Sequence, residues 1–297
     1  YSNLIQPDSG QAATDIEIIS KEGFADWFAG QPSPVRAAAT AQKFDGNAGD
    51  FAILHIPGGD EWKAALIVAD AAKLEHWSLA KAAEALPEGT YRLSGAETGD
   101  ALLGWLLGQY RFDEYRSEPK LKGPRVLVPS EPGRIENAVR QAEATDLVRT
   151  LVNRPAGDLG PDQLEAEAQR LAKAHKGKLH VTKGHDLETG YPLIHAVGKA
   201  ASRDYAPRLI ELEWGDERHP RIAIVGKGVV FDSGGHSMKS AVGMRLMKKD
   251  MGGAAHVLGL ASLIMAAGLP VRLRVLVPAV DNSISGNAYR PLDVIRN

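Results

Sequence analysis

The short apolar run Ile222-Ala223-Ile224-Val225 is followed by two turns rich in glycine and charge, 226–239 and 247–253, and then by the apolar stretch 254–267. Bounded by glycine, the first run reads as a buried strand, and the later stretch as an apolar helix. A strand, a reversal and a helix in this order imply an α/β layer, because each element must bury its apolar face on the other. The reversal carries Lys227, Asp232, Lys239 and Asp250. Charges at that point lie where α/β proteins bind ligands. Gly226, Gly228, Gly234, Gly235 and Gly252, with Gly253 beside them, let the backbone approach a ligand closely.

The same alternation runs through the chain. Strands are predicted at 51–56, 65–68, 91–93 and 125–128, with helices at 79–85 and 99–110. The basic and breaker-rich run from Ser117 to Pro124 leads into the fourth of these strands, and the turn 129–133 opens a long amphipathic helix over 134–152. After the loop 153–161, a helix is predicted over 162–174 with Asp162 as N-cap. Strands follow at 178–182, 208–213, 222–225 and 272–278. At 297 residues the chain is long for one core. The expected architecture is an N-terminal α/β domain over 1–130 and a second α/β domain over 131–297, a sheet flanked by helices that carries the glycine-rich turns.

A formal net charge of -2 argues against a bulk electrostatic grip on nucleic acid or acidic membrane. The longest apolar stretches fall far short of the roughly 20 residues that span a bilayer, and the first residues show no secretory pattern. With no cysteine, disulfides and thiolate metal sites are excluded. The expected location is the cytoplasm.

A lysine among glycines after a strand first suggests phosphate. Val225-Gly226-Lys227-Gly228, however, has neither the spacing of a Walker loop nor that of a dinucleotide loop. Two aspartates in neighbouring loops suit divalent cations, which take carboxylate oxygens. The spacing alone fits equally a structural ion-pair network of Lys227, Lys239, Asp232 and Asp250. A lysine amine joins a metal's ligands only when burial and the cation's field remove its proton.

The segments 225–239 and 247–255, with Pro278 and Asn282-Ser283 through Asp293, resemble the leucyl aminopeptidases, the dizinc cytosol aminopeptidases of peptidase family M17. Weaker similarity extends over 146–156 and 196–199, and the first 130 residues resemble only the general plan of that family's N-terminal domain. The resemblance implies a smaller N-terminal α/β domain over 1–130 followed by a mixed-sheet α/β catalytic domain over 131–297, incomplete on its C-terminal side, and a metal-dependent aminopeptidase, a hydrolase that removes N-terminal residues from peptides. It implies Lys227, Asp232 and Asp250 as metal ligands and Lys239 as the group that polarises the scissile carbonyl. Met247 would line the pocket for the first substrate side chain. Two divalent ions, zinc or manganese, are implied as cofactors, bicarbonate in the complete enzyme, and a homohexamer as the assembly. His236 stands where the family usually has an aliphatic residue and reads as lining or packing. His256 reads as a satisfied helix-face histidine.

In the family, an Asn-Thr-Asp-Ala-Glu-Gly-Arg-Leu motif follows and completes the metal cage. The sequence reaches Asn297 before it. Three candidate ligands cannot saturate two ions that each want about four to six donors, so a fragment of a longer enzyme, inactive alone, is expected. The alternative is a non-catalytic family member that binds peptides, a partner or nucleic acid; the intact lysines and aspartates argue against it.

Overall fold

The computed structural model describes residues 1–56, 58, 61–118 and 123–295; positions 119–122 of the basic run, and Asn297, lie outside the described residues. Contacts divide the chain into two units, Tyr1–Glu143 and Ala144–Asn297. The division falls inside the long helix that the sequence places after its expected boundary near residue 130.

The first unit contains β1 (Thr14–Ser20), α1 (Phe24–Gly30), α2 (Ser33–Ala41), β2 (Phe51–His55) and β3 (Trp62–Val68). After these come α3 (Ala80–Ala85), β4 (Gly89–Ser94), α4 (Ala101–Leu107) and β5 (Arg125–Leu127). The sheet order is β2-β3-β1-β4-β5. Strand β1 runs parallel to β3 and β4, β4 runs parallel to β5, and β2 runs antiparallel to β3. Because side chains alternate along a strand, Ile16 and Ile18 of β1 enter a core with Leu66, Tyr91 and Trp105, while Ile19 enters another with Val35, Phe44 and Ile67. A strand buried on both faces belongs in the middle of a parallel sheet.

Helix α5 (Ile135–Asn153) links the two units in sequence. The second unit continues with α6 (Pro161–His175), β6 (Lys178–Lys183), α7 (His185–Gly190), α8 (Pro192–Gly198) and β7 (Arg208–Trp214). It ends with β8 (Arg221–Val225), β9 (Gly228–Asp232), α9 (Ala241–Met244), α10 (Gly252–Ala266) and β10 (Arg272–Asn282). The order is β6-β7-β10-β8, with β9 also on β10. Strands β8 and β9 run parallel to β10, and β7 antiparallel, so this sheet is mixed as expected. Leu164 of α6 and Leu258 of α10 pack with Leu273, Val275 and Val277 of β10. All five are buried, and each contributes roughly 1.5–3 kcal/mol of apolar burial.

Two local expectations change. Residues 222–225, read as a buried strand, form the exposed sheet edge, with Val225 65% exposed; apolar composition alone does not distinguish centre from edge. Asp162 is not the N-cap of α6. Pro161 opens that helix after an extended Gly160, whose N–H donates to Gln163 Oε1, because proline's fixed φ suits the first helical position.

Candidate active site

Strands β8 and β9 lie end to end along one side of β10. Gly226 N–H donates to Leu276 O, and pairing resumes at Gly228 beside Ala279. Pro278, two residues past Leu276, faces the same side and has no N–H to donate. The ladder therefore lapses at 226–227, and Lys227 lies in that gap. Its carbonyl accepts a bond of 2.9 Å from Ala254 N–H in the first turn of α10. The approach is close enough that a Cβ on Gly253 would meet Lys227 N at 2.8 Å.

Asp232 is the last residue of β9, at the carboxyl end of parallel strands. Its Oδ2 accepts from Lys239 Nζ at 2.6 Å, and its Oδ1 from Gly234 N–H at 3.0 Å and Asn282 Nδ2 at 2.7 Å. Gly234 takes φ +89°, where a Cβ would also lie 2.4 Å from Ser237 O, so glycine is required in this turn. Lys239 N–H closes the turn onto Ser233 O. Burial acts to raise the Asp232 carboxyl, but the bonds from Lys239, Asn282 and Gly234 outweigh it and hold it below the usual range. The bond to Asp232, opposed by burial, raises Lys239, and the charges of Asp232 and Asp250 add to the rise.

Asp250 lies in the 3-10 turn Met247–Met251, which packs against β9. Lys227 Nζ is 2.9 Å from Asp250 Oδ2. That pair has ion-pair distance without hydrogen-bond alignment, so the buried Oδ2 accepts no hydrogen bond. Met247, half-buried, begins the same turn. Lys248 Nζ donates to Val152 O and Asn153 O, both at 2.7 Å, at the end of α5. Four of the five sequence-predicted residues thus form two lysine–aspartate pairs, Lys227–Asp250 and Lys239–Asp232, drawn from the β8–β9 gap, the end of β9 and the two turns that follow, and Met247 begins the second of those turns. His236 is exposed, and His256 is an exposed helix residue with Nδ1 2.7 Å from Gly252 O.

The donors suit a divalent cation in kind. An orphaned buried carboxylate oxygen, a second carboxylate and an amine are hard or borderline ligands. Their number falls short. Among the described residues, no group of three or more His, Asp or Glu side chains is placed to hold a metal, so these residues fit as part of a donor set. Sequence reasoning missed Asn282, although it lies in a quoted motif; its signal is a polar amide ending a long apolar strand.

Comparison with known proteins accounts for both units. Residues 146–297 match the catalytic domain of the cytosol aminopeptidase family, and residues 14–129 match the M17 aminopeptidase N-terminal domain. The chain belongs to the cytosol aminopeptidase family. It is 30% identical over 306 residues to a probable cytosol aminopeptidase of Methylorubrum extorquens, covering 93% of this chain and 61% of that protein. A counterpart from Rhodococcus opacus is 38% identical over 219 residues, which are 68% of this chain and 43% of the relative. The crystal structure of cytosol aminopeptidase from Coxiella burnetii superposes with a TM-score of 0.84 at 36% identity, covering 98% of this chain and 63% of the other. The bottromycin maturation enzyme BotP in complex with Mn gives a TM-score of 0.75 at 29% identity, over 96% of this chain and 63% of that one. The chain therefore spans less than two thirds of the length of these relatives. No described helix is long and apolar enough to cross a membrane.

Proposed function

We propose that this chain contributes the N-terminal domain and part of the catalytic domain of a metal-dependent aminopeptidase that releases N-terminal residues from peptides. The observation that carries the reading is the pairing of two carboxylates with two lysines around β9 and the turns that follow it, with Asp250 Oδ2 buried and unbonded. Lys227, Asp232 and Asp250 would hold divalent cations, zinc or manganese, together with donors from elsewhere in the complete enzyme. Manganese accompanies BotP in its structure. When bound, such ions supply Lewis acidity that makes a water nucleophilic at neutral pH.

The remaining chemistry falls to the chain's own groups. Lys239 carries a proton and would place its ammonium where negative charge develops on the scissile carbonyl oxygen; such a donor is worth about 3–4 kcal/mol of barrier. Met247, at the start of the Asp250 turn, would line the pocket for the first side chain. Bicarbonate, a homohexamer and a cytoplasmic location belong to the same proposal and rest on family membership. The test is leucine release from leucyl amide with added zinc or manganese, for the complete protein and Asp232→Ala. Activity is expected only in the parent; equal activity in both proteins overturns the role given to Asp232.

A further inference from the structure

Asn282 ends β10 directly beside Asp232. A register shift between Val280 and Asp281 brings this about, pairing Asp281 with Phe231 and Asn282 with Asp232. Both the backbone and the side chain of Asn282 are engaged with the Asp232 turn. Its carbonyl accepts from Ser233 Oγ at 2.6 Å and Ser233 N–H at 3.2 Å. Its amide nitrogen donates to Asp232 Oδ1 at 2.7 Å. Its side-chain oxygen faces Gly235, where an added Cβ would come within 3.2 Å of it. The opposite amide orientation would set an oxygen against a carboxylate, so the bonding network fixes which end donates.

With Gly234 N–H also on Oδ1, one carboxylate oxygen of Asp232 is occupied by two fixed donors. The other, Oδ2, is left to Lys239. We propose that Asn282 is a positioning residue: it pins Oδ1 of Asp232 and so fixes the orientation in which Oδ2 meets Lys239 and a cation. This rests on the reading of Asp232 as a metal ligand. A residue hydrogen-bonded to a ligating carboxylate acts on metal affinity by orienting the ligand and limiting its rotation. Without that bond, Oδ1 keeps only the Gly234 N–H, and the carboxylate can turn about its terminal torsion, which is broad and soft.

The test compares the complete protein with Asn282→Leu, which keeps the branched shape and removes the donor, with Asn282→Ala, and with Asp232→Ala. Manganese or zinc affinity is measured by competition with a chromophoric chelator, alongside thermal melting of the metal-free proteins and a kcat and KM split on leucyl amide. Metal affinity should fall by about ten- to a hundredfold in both Asn282 variants, with kcat falling more than KM rises. Metal-free melting should stay within a few degrees of the parent in at least one of the two. Asp232→Ala should lose more affinity than either. If Asp232→Ala binds metal as tightly as the parent, the ligand reading itself fails. If Asp232→Ala loses metal while both Asn282 variants keep parental affinity, the positioning role is overturned, whatever their melting temperatures. Loss of affinity only in proportion to a lowered metal-free melting temperature in both variants also overturns it, since that marks a structural contact alone.

Discussion

Replacing Arg290 by methionine isolates the energetics of the segment that follows β10. Arg290 is 14% exposed, bonds Asp281 Oδ2 through Nη2, lies 4.5 Å over the Tyr205 ring, and approaches Asp293. Asp281 is 1% exposed, and its Oδ1 has no hydrogen-bond partner. Breaking such a pair leaves a buried charge and typically costs about 3–5 kcal/mol. Methionine keeps the apolar stem, so the loss should fall near the lower bound, about 3 kcal/mol at pH 7.5.

The cost should also depend on pH. Burial outweighs the Arg290 bond and charge, and Asp281 already sits above the usual carboxylate range. A raised folded-state value contributes stability below the unfolded value of about 3.9 and loses it as pH rises through the folded value. Removing Arg290 raises the folded value further, so the variant's deficit should be larger at pH 7.5 than at about pH 4, close to the unfolded value, growing by at most about 1.4 kcal/mol per pH unit in between. Hydrogen exchange of β7 and β10 amides, compared with the parent at each pH, reads this opening energy within the second unit. The double change Asp281→Asn with Arg290→Met should regain most of the loss. A deficit under about 1 kcal/mol, or one equal at both pH values, refutes the argument.

Lys227→Ala should lower bound metal and activity together, whereas Lys239→Ala should keep its metal and lose turnover by about a hundred- to a thousandfold; metal analysis beside kcat separates the two, and equal metal loss refutes the division. Gly253→Val must displace the Lys227 backbone, given the 2.8 Å approach; a cost of about 1–3 kcal/mol should appear in thermal melts together with weakened metal retention. Glu131 accepts from Gly99 N–H at 2.9 Å, and that bond, against opposing burial and with help from Thr98 and Arg134, holds its carboxyl low. A depressed value gives stability above the unfolded value of about 4.3 that is lost as pH falls. Glu131→Gln should therefore cost about 1 kcal/mol at pH 7 and progressively less as pH falls below the unfolded value of about 4.3, as read by melts across that range.

What could be read in advance follows from where the information resides. Long apolar runs bounded by glycine or proline revealed β10 and α10, and the density of charge between β8 and α10 singled out Lys227, Asp232, Lys239 and Asp250 as a cluster, whereas spacing alone fitted an ion-pair network equally and only the family resemblance gave them roles. Strand β1 went unread although Ile16 and Ile18 alternate with Asp15 and Glu17. The doublet Ile18-Ile19 breaks strict alternation, since both faces of a central strand are buried. Helices α7 and α8 have six and seven residues, too short for a 3.6-residue period to declare itself. The role of Asn282 was hidden for a different reason: its partner Asp232 is 50 positions away, and a one-residue register shift decides whether the two amino acids face each other. The acids and bases of a site are legible from their type, but the groups that orient them depend on strand register, and register is set by Pro278, the irregularity at Val280 and the packing of the whole sheet.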